Sequence, residues 1–391
     1  DRWVVIEPGV TYKQLQDKLE EEGLRVMMPF GVPPWRSVLS SYLERDPVLA
    51  AAHFEYGNDL LSEIEVVLPD GELFRTGLWA VTGGKEAGSS WGPMGFLNYR
   101  FWTGAQGTLG VITKMVVKIE HIPRLRKVFF FPFEDLRELI EPIRRIQRRE
   151  LGMECFALNN FNLAAILSDD WSLPDTFPCQ KENSPQFEAL RKKLPPWTLM
   201  ICLFGLLERP EEKIEYEEEA LREVCAQLNL EPKNTVAGIV GLEKVILGEL
   251  LRPWKVLKKF RYKGSCHALS FYCTLGKISD VERLLFELAR EYRYRLEDLG
   301  EYILPIERGR SLYCEFDLHC DLEDEEETER VKRLWLEASE RLMDAGAYFE
   351  RPYGSWAQMV YRRAGSYAAK LKDLKKELDP NNIMNPGKLC F

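Results

Sequence analysis

Thr103-Gly104-Ala105-Gln106-Gly107-Thr108-Leu109-Gly110-Val111-Ile112-Thr113 puts glycine at every third position just ahead of an alternating apolar run. Glycines at this density let backbone amides approach a flat or phosphorylated ligand where a Cβ would clash. The pattern is not G-x-G-x-x-G, and the run that follows, Val111–Ile119, has the period of a strand and not of a helix. A Rossmann nucleotide fold is therefore excluded. By itself the series also fits a bulged loop, and its neighbours decide between the two.

Upstream, Ile64–Leu68 predicts a strand, Asp70-Gly71 a hairpin turn and Leu73–Thr76 the return strand. A Gly-rich loop is expected from residue 77 to about 98. Nearer the start, Trp3–Ile6 predicts a strand closed by Glu7-Pro8-Gly9. Thr11 then caps a helix that carries Leu15 and Leu19 and ends at Gly23. Residues 27–60 are rich in Pro, Gly and Ser and are expected as loops around a site.

Downstream of Pro123 the pattern changes to strands alternating with helices. Val128–Phe131 predicts a strand, and Leu136, Leu139, Ile140, Ile143 and Ile146 follow a helical period. The cycle recurs with Cys155–Leu158, with Leu199–Phe204 and its helix Glu211–Leu228, and with Ala268–Cys273 and its helix Val281–Tyr292. Residues 302–305 and Ser311–Leu318 pair as strands before a last helix striped by Val331, Leu334, Trp335, Ala338 and Leu342. This order predicts an α+β fold, an antiparallel sheet with helices on one face, built from ferredoxin-like units. Residues 168–196 look like a linker, and a Lys-rich helix from about 366 ends at Asp379-Pro380.

The 391 residues suffice for two domains, and a net charge of −9 with no basic tail excludes nucleic acid as a partner. None of the nine cysteines is spaced C-x-x-C, so a zinc ribbon or a cysteine-held iron–sulfur cluster is not expected. Scattered, unpaired thiols favour the cytoplasm. No apolar run approaches the roughly 20 residues of a spanning helix.

Four motifs occur in order: Val4–Val10 (V-V-I-E-P-G-V), Glu65–Gly77 (E-V-V-L-P-D-G-E-L-F-R-T-G), the Gly104–Ile112 series and Asp379–Lys388 (D-P-N-N-I-M-N-P-G-K). Together they resemble the FAD-binding oxidoreductase family of vanillyl-alcohol oxidase and 4-cresol dehydrogenase, the PCMH type, which includes FAD-linked D-lactate and glycolate dehydrogenases. Ser37–Arg45 (S-V-L-S-S-Y-L-E-R) followed by Tyr56-Gly57 looks like the flavin-side loop of the phenol-oxidising branch. Glu325–Gly346 looks like the element leading into its substrate anchor.

The resemblance implies an FAD-binding domain over residues 1–123, a substrate-covering cap over 124–364, and a return to the FAD domain over 365–391. It also implies a pyrophosphate-gripping loop ahead of Val4–Val10, so the FAD domain is expected to extend upstream of Asp1. Pro8, Gly9 and Val10, Ser37, Ser40 and Ser41, then Gly104, Gly107, Gly110, Val111 and Ile112 would line the cofactor, with Lys388 closing the site. Glu44 falls where the phenol branch has a carboxylate beside the flavin, fit to act as general base; an ordinary ion pair with Arg45 is its alternative. Arg351 aligns with an arginine that anchors the phenolate, a task suited to a planar guanidinium. The match departs there, because Glu350 stands where that branch has tyrosine, with Tyr348 and Tyr353 out of register.

The implied activity is hydride transfer from an alcohol or 2-hydroxy-acid substrate to flavin N5, with electrons passed on to a protein or quinone acceptor. A p-hydroxybenzyl oxidase is the nearest alternative, and a non-catalytic subunit of a redox complex another. A small-molecule substrate and an electron-carrier protein or partner subunit are the expected partners, and a second copy of the chain is a further candidate. No metal is expected: the metal-binding His motifs of the lactate and glycolate branch do not appear. His319 reads as structural, and His53, His121 and His267 have no ligand spacing. Arg144, Arg145, Arg148 and Arg149 read as a solvated helix face.

Overall fold

The computed structural model describes residues 2–52, 60–85 and 98–391. The chain opens with β1 (Trp3–Ile6), α1 (Tyr12–Glu20), β2 (Leu24–Arg25) and α2 (Val38–Leu43). There follow β3 (Leu61–Val67), β4 (Leu73–Arg75), α3 (Gly77–Thr82), β5 (Val111–Lys118) and β6 (Glu120–His121). Four of these strands form an antiparallel sheet in the order β1-β5-β3-β4, and β2 pairs with β6. Helix α1 begins where it does because Thr11 and Gln14 close a capping box. The Thr11 oxygen accepts from the Gln14 amide at 3.3 Å, and the Gln14 side chain accepts from the Thr11 amide at 3.0 Å.

The second part runs β7 (Leu125–Phe133), α4 (Leu136–Arg148), β8 (Glu154–Asn159), α5 (Asn160–Leu167), α6 (Pro185–Lys193) and β9 (Trp197–Gly205). It continues with α7 (Pro210–Gln227), α8 (Leu242–Glu249), β10 (Gly264–Cys273), α9 (Ile278–Glu291), β11 (Leu299–Ile306), β12 (Ser311–Asp321) and α10 (Glu325–Asp344). Helices α11 (Ser355–Arg363) and α12 (Gly365–Leu378) bring the chain back to the first sheet. The six-stranded antiparallel sheet has the order β10-β12-β11-β8-β9-β7.

The long amphipathic helices α4, α7, α9 and α10 pack on one face of this sheet, as their apolar stripes predict. The opposite face is covered too, by α5, α6, α8 and the 3-10 turn Lys255–Tyr262. The sequence concealed this second layer because α5 is apolar all round and has no stripe to read. The expected linker 168–196 is instead partly core: Trp171 and Phe187 are buried, and Ser184 caps α6. Likewise α2 and α3 form inside stretches expected as loops. α2 is a six-residue helix, and a stretch that short shows little periodicity.

Candidate active site

Three loops of the first part meet below the larger sheet. Thr11 bridges Ser37, the Val38 amide donates to the Val10 carbonyl at 3.0 Å, and the Gly104 amide donates to the Leu43 carbonyl at 2.7 Å. The segments singled out around Val10, Ser37–Ser41 and Gly104 are thus side by side. Pro8 and Gly9 form an exposed turn, Ser37 caps α2, Ser40 is exposed, and buried Ser41 donates to Asp46 at 2.8 Å. Val111 and Ile112 open β5 opposite Val67 and Val66. Tyr56-Gly57 and His53 lie outside the described residues.

The Gly series is held from behind by the C-terminus. Buried Lys375 donates to the Thr108 carbonyl at 2.8 Å, to the Met384 carbonyl at 2.8 Å, and pairs with Asp379. Asp379 in turn accepts from the Ile383 and Met384 amides at 3.0 and 2.8 Å, and Asn385 donates to the Gln106 carbonyl. This gives the D-P-N-N-I-M-N motif a structural task as a clamp. A Cβ on Gly110 would fall 2.7 Å from Val66 Cγ1 and 2.9 Å from the Val67 carbonyl, so the strand contact alone already requires glycine here. Lys388 is exposed on the tail, whose Leu389 and Phe391 wall a trough of about 510 Å³ beside Gly104. Arg45 and Arg100 share that trough with Tyr348 and Tyr367, whose rings are 60% and 62% exposed. Guanidiniums suit phosphates and open aromatic faces suit a flat ring, so these residues fit a nucleotide cofactor.

A smaller cavity, about 170 Å³, lies between the 29–47 loop and the larger sheet. Phe30 and Val32 form its apolar wall, Tyr302 on β11 with Tyr313 and Glu315 on β12 form its roof, and Arg36, Asp46 and Arg351 its charged side. Arg351, 18% exposed at its side chain, pairs with Asp46 and donates to the Tyr313 hydroxyl at 3.2 Å. Arg36 also reaches Asp46, at 3.1 Å. Arg45, expected as a partner for Glu44, pairs instead with buried Glu350. Asp46 and Glu350 are thus site residues that the sequence did not disclose: their partners lie far along the chain, beyond any local spacing.

Burial pushes the Glu44 carboxyl above its usual range, and the charges of Arg36, Arg351 and Arg45 pull against this without cancelling it. Two of those guanidiniums wall the cavity and the third walls the trough; Glu44 lines neither, but lies near enough to all three to feel their charge. Burial lowers Arg351 to about 10, so it remains a cation at neutral pH. The three guanidiniums Arg36, Arg45 and Arg351 are thus set among three carboxylates, Asp46, Glu350 and Glu44. The buried Tyr302 hydroxyl has no hydrogen-bond partner among the described residues, which leaves it to donate into the cavity.

Residues 315–389 match the family described as FAD linked oxidases, C-terminal domain. The chain is 23% identical over 409 aligned residues to the 4-cresol dehydrogenase [hydroxylating] flavoprotein subunit of Pseudomonas putida, covering 99% of this chain and 74% of that protein. These likenesses support an FAD-dependent oxidoreductase. Mitochondrial D-lactate dehydrogenase [cytochrome] of Arabidopsis thaliana is 24% identical, covering the whole of this chain and 63% of that protein. A crystal structure of p-cresol methylhydroxylase with substrate bound superposes with a TM-score of 0.77 at 19% identity, over 100% of this chain and 76% of that one, which shows the shared fold. Among the described residues no helix is long and apolar enough to cross a membrane.

Proposed function

We propose that this FAD-linked oxidoreductase dehydrogenates a small alcohol or 2-hydroxy acid in the cavity between the 29–47 loop and the larger sheet. The observation that supports this is the small polar cavity walled by Arg36, Asp46, Arg351 and Tyr302, with Glu44 close enough to feel the charge of both guanidiniums. FAD, when bound, supplies the hydride acceptor. The trough beside Gly104 is the place for part of it, with the exposed Pro8-Gly9 turn and Ser40 on the neighbouring segments. Arg351 and Arg36 hold the substrate's anionic oxygen, while Asp46 keeps both guanidiniums in place. The unpartnered Tyr302 hydroxyl donates to a second substrate oxygen. Glu44 accepts the hydroxyl proton as its carbon is oxidised, and a raised pKa brings such a carboxylate nearer to the working pH of a general base. Phe30 and Val32 keep water out.

A phenolic substrate is the second reading. Tyr302 and Tyr313 beside Arg351 offer hydroxyls and a cation to one phenolate oxygen, and the 4-cresol relative supports it. That relative's description as a flavoprotein subunit also supports a redox partner that takes the electrons onward. The test is anaerobic mixing of the FAD-loaded chain with D-lactate, glycolate or 4-hydroxybenzyl alcohol while the flavin absorbance is followed. Bleaching by a hydroxy acid supports the first reading, and bleaching by the phenol alone supports the second. Bound flavin that none of them reduces would contradict both.

A further inference from the structure

Side chains on a strand alternate between faces, so Tyr313, Glu315, Asp317 and His319 of β12 share one face. His319 lies four residues beyond Glu315, about 13 Å along the strand from the cavity wall at the usual rise of a strand. Across the ladder, Cys266 on β10 is the direct register partner of His319, and Ala268 that of Asp317. Directly opposed side chains begin about 5 Å apart, within mutual reach of a single ion. One ligand atom each from Cys266, Asp317 and His319 indeed lies within 4.8 Å of the others.

The histidine is the telling member. It is wholly buried, and its Nδ1 lies 3.2 Å from the Ser265 carbonyl, which can only accept, so Nδ1 carries the proton. Nε2 is then a bare lone pair, and it has no partner among the described residues. An unsatisfied buried acceptor costs about 1–3 kcal/mol. Phe161 stacks on the ring at a centroid distance of 4.7 Å and fixes its plane. Asp317 has one oxygen committed, since Lys259 donates to Oδ2 at 2.7 Å. The other, Oδ1, accepts among the described residues from the Cys266 thiol alone, at 3.2 Å. Outer hydrogen bonds of this kind, to the far nitrogen of a histidine and the far oxygen of a carboxylate, are what orient metal ligands.

We propose that Cys266, Asp317 and His319 bind a divalent ion of the zinc type, separate from the substrate cavity. Sulfur, imidazole nitrogen and a single carboxylate oxygen suit Zn²⁺ or Co²⁺, whereas Mg²⁺ and Ca²⁺ want oxygen alone. The ion takes the place of the thiol proton between Sγ and Oδ1, and that proton leaves to solvent. Three protein ligands leave a fourth position for water. Cys266 is half-buried on an edge strand, so an ion can arrive there from solvent. The charge closes, with the thiolate and carboxylate facing the metal while the Lys259 ammonium stays on the outer oxygen.

The test uses the full chain, stripped with a chelator and titrated with Co²⁺. One equivalent should give the visible ligand-field bands of a four-coordinate cobalt thiolate, at wavelengths where oxidised flavin does not absorb, and Zn²⁺ should abolish them. Cys266→Ser and His319→Gln should each weaken binding by more than about a hundredfold, beyond what an outer-shell partner is worth. No such bands, or equal binding by both variants, would overturn the site. If a variant does not fold, the wild-type chain decides: one equivalent of Zn²⁺ should slow alkylation of Cys266 at least tenfold, and an unchanged rate would overturn the proposal. Neither readout depends on substrate turnover.

Discussion

Replacing Lys375 with methionine removes one ammonium from the clamp behind the Gly series while keeping its side-chain length. The ammonium has three partners: the Asp379 carboxylate and the Thr108 and Met384 carbonyls, both at 2.8 Å. The two charged side chains are 6% and 1% exposed, so solvent screens the pair little. Breaking a buried pair by removing one partner costs about 3–5 kcal/mol, mostly because the other charge stays behind. Asp379 retains two backbone amides, which places this case at the low end. A loss of about 3 kcal/mol is about a hundredfold in the local opening equilibrium. Native-state hydrogen exchange reads this segment by segment. Amides of 104–110 should lose about two orders of magnitude of protection in Lys375→Met, while those of β9, a buried strand of the larger sheet, stay as they were. Adding Asp379→Asn should restore part of the loss by removing the stranded charge. Unchanged exchange at 104–110, or a uniform loss across both sheets, would refute the clamp.

Other outcomes follow from the same contacts. Gly110→Ala should destabilise the smaller sheet by about 1–3 kcal/mol through overpacking, because its Cβ meets the Val67 carbonyl, which cannot swing away; denaturant midpoints check this. Tyr302→Phe should leave the melting temperature unchanged or raised, since it removes an unsatisfied buried hydroxyl, yet raise the substrate KM at least several-fold. Because burial raises the Glu44 pKa, the folded chain holds that proton above the unfolded value of about 4.3, so this group's contribution to stability falls as pH rises through that window. Glu44→Gln should therefore be more stable than the parent at neutral pH and no more stable below pH 4, as thermal melts at the two pH values would show.

The elements that sequence disclosed are those whose signals are local. Thr11 with Gln14, Asp70-Gly71, and the stripe Leu136–Ile146 each carry their own start, turn or face. The larger sheet's second helical layer was hidden because α5 is uniformly apolar, and α2 because six residues show little period. At the site, Glu44 and Arg351 were singled out through resemblance; Arg351 walls the cavity, while Glu44 lies outside its lining but within reach of the Arg351 charge. Their neighbours were not: Glu350 looked like a departure from the family pattern until Arg45 appeared as its partner. Asp46 carried no signal at all before folding set it between Arg36 and Arg351. His319 looked solitary because Cys266 is its register partner across a ladder, which only sheet pairing defines.

In the proposed reaction Glu44 and Arg351 act together on one substrate. A double-mutant cycle on the rate of anaerobic flavin reduction tests it, using Glu44→Gln, Arg351→Ala and the combination, with whichever substrate bleaches the parent protein. Each single change should slow reduction at least tenfold. The pair should fall short of the product of the two by at least about fivefold, a coupling of about 1 kcal/mol between groups sharing a ligand. Strictly multiplicative effects, or single variants reduced as fast as the parent, would contradict it.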